Sequence, residues 1–333
     1  MAEQTREEAT PVQPTAEDGP AKPTELPKES WFAILKRSGK QFSQDNLTDW
    51  AAALTYYGVL SIFPGLLVLI SLLGLTGQGT TDKVVDNVEG LAPGAVATLF
   101  EQAVTNLQES QSEAAGFAAI VGVLAALWSA SGYIGAFMRA SNAIYDVPEG
   151  RPIWKTIPIR IGVTIITGFL VAVSALMVVF TGGLARALGN LVGLGGGFVR
   201  VWDIAKWPVI AMMVALLFAI LYWASPNAKH GGFRWVSPGG VLAVVIWLIA
   251  SGLFAFYVAN FGSYNKTYGS FAAVIIFLVW LWISNIAILL GAEFDAEMQR
   301  GRAIAAGHPA DEEPYLELRD SRKIDKGKDE GLG

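Results

Sequence analysis

The chain has no cysteine and only two histidines, His230 and His308. A disulfide framework, a thiolate metal site and a cysteine nucleophile are therefore excluded. Neither histidine has a second histidine at metal-ligand spacing, and no GxSxG or Walker A sequence occurs. GLGGGF at 193–198 lacks the Lys-Ser/Thr ending that holds a phosphate and reads as a flexible loop. No cofactor, metal centre or catalytic residue is expected, and the chain is not read as an enzyme. Charge is scarce as well, with 16% of residues charged against 53% hydrophobic.

Charged residues and histidine are missing altogether from six runs: Ala51 to Thr81, Ala114 to Met138, Ile161 to Ala185, Trp207 to Ala228, Trp235 to Asn265 and Thr267 to Ala292. Each is longer than the roughly 20 residues that a helix rising ~1.5 Å per residue needs to cross a ~30 Å hydrocarbon layer. A helix on the outside of a soluble bundle carries a polar face at 3.6-residue period, whereas AAVIIFLVWLWISNIAILL at 272–290 is apolar all round. The expected fold class is all-α: a polytopic membrane protein with six transmembrane helices across residues 51–300, plus amphipathic interfacial helices.

The net charge of −5 sits in the tails, with −4 in residues 1–30 and −2 in 301–333. The middle offers no strongly basic surface for phosphates of a nucleic acid, so no nucleic-acid partner is expected. Residues 1–30 are acidic and proline-rich where a signal peptide would be basic and then apolar, and they read as a disordered cytoplasmic tail. The first span then acts as an uncleaved signal anchor. Residues 301–333 read as a second charged, disordered cytoplasmic tail.

Lys and Arg near span ends set orientation, because basic side chains resist translocation. Eleven lie on the side of the termini, among them Lys36, Arg139, Arg151, Arg160, Arg234 and Arg300, against five on the other side. Both termini should be cytoplasmic. Within residues 31–50, Trp31, Ile34, Leu35 and Phe42 alternate with Lys36, Arg37 and Lys40, the pattern of an interfacial helix. In the outer segment at about 82–113, Val96, Leu99, Phe100, Val104 and Leu107 recur at helical spacing.

Spans free of ionisable residues disfavour a proton relay through mid-membrane. Neutral polar groups do cluster. Tyr56, Tyr57, Ser61 and Pro64 fall in the first span, where Pro64 removes an amide donor and predicts a break. Arg139 and Asn142 meet the cytoplasmic interface, either snorkelling to phosphates or making a specific anionic-headgroup contact. Asn260, Tyr264 and Tyr268 crowd a short outer turn, as a polar lip or as interface anchors. Asn285 should find a partner on another helix. Gly132, Ala136 and Ala140, and likewise Ser251, Ala255 and Ala259, recur every four residues as packing faces. Glu293, Asp295 and Glu297 read as a solvated cluster beyond the last span. A metal nuclease would need them to converge with Asp45, Asp49, Asp146 and Glu149.

AAALTYYGVLSIFP at 51–64, RASNAIYDV at 139–147, YWASPN at 222–227 and the stretch from YNKTYGSF into ILLGAEFDAEM at 264–298 resemble the YihY/BrkB family of bacterial inner-membrane proteins. The resemblance covers residues 30–300 and implies a six-helix membrane domain with cytoplasmic termini. Some members carry the label ribonuclease BN, and others are connected with virulence or envelope lipids. The leading expectation is a transporter-like plasma-membrane protein that handles lipids or amphiphiles, with membrane lipids as its partners. A membrane scaffold or assembly factor comes second and a membrane ribonuclease third.

Overall fold

In the computed structural model, residues 14–74, 113–179, 196–260 and 271–329 are described. They form α1 (Lys28–Gln44), α2 (Leu47–Gly74), α3 (Glu113–Ile144), α4 (Ile153–Val179), α5 (Gly196–Ala224), α6 (Phe233–Asn260), α7 (Phe271–Ala305) and α8 (Arg322–Asp329), with two short 3-10 turns before α1. No strand occurs among the described residues, only one isolated bridge between Ala228 and Leu318. The fold is all-α, as expected.

Each of α2 to α7 packs on its neighbours in chain order, and α7 closes the ring against α2. The described connections, 145–152 and 225–232, lie at the end that also carries α1 and the tails. That end is called the terminal end below. Ile153–Val178, Val201–Ala224, Phe233–Asn260 and Val274–Ala305 are long and apolar enough to cross a membrane. The first two charge-free runs are helical in α2 and α3, and α2 continues through Pro64 to Gly74. Ile166, Phe169, Ile204, Leu248, Phe256 and Val274 are among many large apolar side chains left exposed. Apolar surface of that extent on long helices is stable in lipid rather than water.

Among the described residues, a core joins α2, α3, α5 and α7 at the terminal end. Phe137 of α3 stacks on Tyr222 of α5 at 6.1 Å, and the Tyr222 hydroxyl donates to the Ile288 carbonyl of α7 at 2.6 Å. Helices α6 and α7 approach each other closely. There a Cβ on Gly239 would collide with the Gly291 carbonyl, and one on Gly291 with the Gly239 carbonyl and the Tyr222 hydroxyl.

The tails differ from expectation over 14–27 and 301–329, which are packed against the bundle. Ala16 N donates to Tyr315 O at 3.2 Å and Arg302 Nε to Pro20 O at 2.8 Å. Lys229 N and Arg319 N donate to Glu317 O and Asn227 O, so the C-terminal strand of chain pairs with the α5–α6 connection. Composition alone hid this, because a segment rich in charge still orders when its backbone finds partners. α1 is helical as expected, yet it docks rather than floats. Ile34 is fully buried, Trp31 lies 6.3 Å from Phe294 of α7, and Phe32 and Leu35 face outward.

Candidate functional site

The terminal end is held by a clasp of polar side chains from three segments. Asn142, near the end of α3, donates from Nδ2 to Glu149 at 3.0 Å and accepts the Asn227 amide at 2.8 Å. Arg151 binds both Glu149 oxygens at 2.7 Å and the Ser225 carbonyl at 2.8 Å, at the negative end of the α5 dipole. Asn227 reaches Pro148 O at 3.1 Å and Asp320 O at 2.9 Å. Burial alone would raise Glu149, but hydrogen bonds and charge from Arg151 outweigh it and hold the carboxyl below the ordinary range. Hydrogen bonds from Arg322 and Lys155 likewise hold Asp320 well below it. Arg319 donates to Nε2 of His230 at 2.6 Å. Burial and then that guanidinium push His230 down to about 4. The Asn142 amide thus ties α3 to Glu149 and Asn227, and the residue also lines the groove beside the clasp.

Beside the clasp lies an open groove of about 730 Å³, lined by Asp45, Trp50, Arg139, Asp146 and Glu313 among others. Arg139 is exposed on its wall, with its guanidinium 5.8 Å from the Tyr57 ring centroid and no carboxylate partner among the described residues. Tyr57 is partly buried edge-on to the exposed Tyr56, and Ser61 donates back to the Tyr57 carbonyl at 2.7 Å. Partial burial and then the charges of Glu313 and Asp45 push Asp146 up to about 6. Burial also pushes Asp45 up, so the groove sets the Arg139 guanidinium beside two carboxyls, Asp45 and Asp146, that resist ionisation.

The remaining expected residues fall into clear roles. Asn285 is fully buried. It donates to Thr55 of α2 at 3.0 Å and accepts from Tyr133 of α3 at 2.9 Å, which joins three helices. Ala136 and Ala140 are buried, and a Cβ on Gly132 would lie 3.3 Å from Tyr57, so this face packs on α2. Ser251 accepts from Trp280 at 3.2 Å, whereas Ala255 and Ala259 are exposed. The close approach of α6 occurs at its other end, through Gly239 and Ala243, and among the described residues the stripe beyond Ser251 is left exposed. Asn260 turns back onto Phe256 O at 2.8 Å. Tyr264, Tyr268 and the outer segment at 82–113 lie outside the described residues.

Glu293, Asp295 and Glu297 are not solvated. They are 1%, 0% and 3% exposed. The i, i+2 spacing turns Asp295 to the side of α7 opposite Glu293 and Glu297, so burial is on both sides of the helix, around which α1, α2 and α6 pack. Asp295 accepts the Gly239 amide at 2.8 Å, and Glu297 is held by Arg37 and by Arg300 at 3.5 Å. No group of three or more His, Asp or Glu among the described residues is placed to hold a metal ion.

Arg151 and Arg160 enter the sequence reading only through the orientation count. Arg151 closes the clasp, and Arg160 precedes the third charge-free run. In α4 its Nε donates to Ser131 of α3 at 2.9 Å, and its guanidinium lies 5.0 Å from the Trp128 ring centroid. The signal was present: Trp128, Ser131, Gly135 and Arg139 recur every three or four residues and so share a face of α3.

These features define a polytopic all-α membrane protein, with a hydrogen-bonded terminal end and unneutralised arginines on one lateral face. The chain belongs to the family described as Virulence factor BrkB, which it matches over residues 38–315. It is 34% identical over 284 residues to a Bacillus subtilis protein whose name calls it ribonuclease-like, YfkH, covering 85% of this chain and 100% of that one. It is 31% identical to a UPF0761 membrane protein of Alkalilimnicola ehrlichii, over 81% of this chain and 60% of that protein. With a UPF0761 membrane protein of Ralstonia nicotianae it shares 30% identity, over 79% and 57%. The chain thus spans the whole of the Bacillus relative and about three-fifths of the other two. No solved structure matches it.

Proposed function

We propose that this protein handles a phosphate-bearing amphiphile of the cell envelope, as a transporter-like protein of the bacterial inner membrane without enzymatic turnover. In this reading six helices span the plasma membrane, both termini are cytoplasmic, membrane lipids are the partners and nucleic acid is not one. The excess of Lys and Arg at the terminal end supports the orientation. The observation that carries the function is Arg139, an exposed guanidinium at the inner mouth of a lateral groove. A phosphate satisfies its fork, and an amine on the same headgroup suits the carboxylates of Asp146 and Asp45 across the groove.

A ribonuclease activity, as the name of the Bacillus relative suggests for that protein, is less well supported here. Glu293 and Asp295 are buried and Glu297 is engaged by two arginines, so these three do not join the groove carboxylates in a set that could hold a metal for RNA cleavage. A photo-crosslinking residue at exposed Tyr56, activated in native membranes, separates lipid handling from scaffolding. The expected adduct is a phospholipid. Capture of a stoichiometric protein with no lipid adduct would favour a scaffold and overturn this reading.

A further inference from the structure

Arg160 is set differently from an arginine that snorkels. It stands eight residues into α4, so its Cα is ~10 Å from the start of that helix. Its acceptor Ser131 lies thirteen residues before the end of α3, ~20 Å from the same end of the bundle. The side chain therefore climbs away from the terminal end, toward the middle of the apolar layer. Snorkelling would send it the other way.

Its bed is built for it. A Cβ on Gly135 would stand 3.0 Å from Arg160 Cδ and 3.2 Å from Nη1, so the missing side chain gives the guanidinium its place on α3. Ser131 spends its hydroxyl proton on the Trp128 carbonyl at 2.6 Å and offers Arg160 a lone pair. Trp128 supplies its ring face. The other guanidinium N–H groups have no acceptor among the described residues, and no carboxylate there pairs with Arg160. Arg139 lies on the same face one turn below Gly135, and the two cations repel each other. An uncompensated guanidinium at this depth costs several kcal/mol unless a counter-charge reaches it. The neighbouring surface is open to lipid, since Leu60 of α2 and Leu124 and Trp128 of α3 are exposed.

We infer that Arg160, with Ser131 and Trp128, forms a phosphate-binding station inside the membrane layer, one step above Arg139 along α3. The ligand is the phosphate of an amphiphile whose chains lie against Leu60 and Leu124. The station rests on the amphiphile-handling reading for its use, though not for its existence. A headgroup entering at Arg139 meets Arg160 next, and the repulsion between the two guanidinium groups is relieved by the phosphate.

The test uses the full chain in maltoside micelles, with dioleoyl phosphatidic acid and dioleoylglycerol as probes that differ in the phosphate alone. Native mass spectrometry should show the phosphatidic acid retained and the diacylglycerol not. Arg160→Gln should weaken retention about tenfold or more, since charge-assisted hydrogen bonds are lost, and Arg160→Lys should restore part of it. Arg139→Gln should weaken it less. Ser131→Ala, which leaves the charge in place, guards against misfolding and should show a smaller loss with an unchanged elution profile. If inorganic phosphate alone displaces the lipid at millimolar concentration, the station stands and its ligand is the free anion. Equal retention of both probes, or undiminished phosphatidic acid binding by folded Arg160→Gln, overturns the inference. Lipid movement across vesicles is measured separately, so a station that binds in a protein that moves nothing would sink the transport reading alone.

Discussion

Arg151 and Arg160 stand nine residues apart, yet the two regions that receive them differ in kind. At the terminal end Arg151 is 3% exposed and meets Glu149, Ala224 and Ser225, so each part of its fork has an acceptor. On the α3/α4 face Arg160 meets one hydroxyl and one ring. The difference teaches which arginine is part of the scaffold. A buried cation with a complete set of acceptors fixes geometry, whereas one left half-satisfied in an apolar layer is poised for something absent from the chain.

The comparison breaks most readily at the clasp. Arg151→Ala strands Glu149 without its bidentate partner and should cost about 3–5 kcal/mol, read as a large drop in the thermal unfolding midpoint of the detergent-solubilised protein. Arg160→Gln should leave that midpoint nearly unchanged. Equal losses would erase the distinction between the two regions. Next in size is Gly291→Val, which drives a side chain into the Gly239 carbonyl and the Tyr222 hydroxyl. Overpacking there should cost about 1–3 kcal/mol and broaden the gel-filtration peak. Asn285→Leu comes third. It unpairs Thr55 and Tyr133 for about 0.5–2 kcal/mol, and a neutral result in the same unfolding assay would show that the three-helix junction is held by apolar contact alone.

The smallest effect is on pH. Asp146 is pushed up to about 6, so its contribution is present below the ordinary Asp range and is lost as pH rises through 6. His230 is pushed down to about 4, so its contribution is present above the ordinary His value and is lost as pH falls through 4. The two nearly oppose each other across pH 4 to 6. Asp146→Asn, which keeps a residue tolerant of the left-handed backbone at φ 49°, should unmask stability that rises with pH. His230→Gln should unmask stability that falls. Identical pH profiles for both variants and the parent would show that neither group titrates as its surroundings require.

The lattice of helices was legible in the sequence because an apolar run of spanning length has few alternatives. Asn285 was legible too, since a lone amide among apolar neighbours must find a partner. What the runs could not convey is direction. Arg160 and Glu293 lie one residue outside charge-free runs, and from composition both belong to water; the structure turns one along α3 and buries the other where neighbouring helices pack around α7. Likewise the tails look disordered by composition, while the C-terminal one pairs its backbone with the α5–α6 connection, a contact between positions about 90 residues apart, and the N-terminal one is held by Tyr315 and Arg302. The hydrogen bonds of Asn142 were not legible either, because its partner Asn227 lies in a separate segment.

The central claim is that a headgroup passes along α3 by way of Arg139 and Arg160. Proteoliposomes carrying a headgroup-labelled phospholipid, with an impermeant quencher added outside, test it most directly. The account predicts label movement above protein-free vesicles, retained in Ser251→Ala and strongly reduced in Arg160→Gln protein that elutes as folded. Movement by wild type at the protein-free rate, across phospholipid headgroups of each charge type, would contradict it.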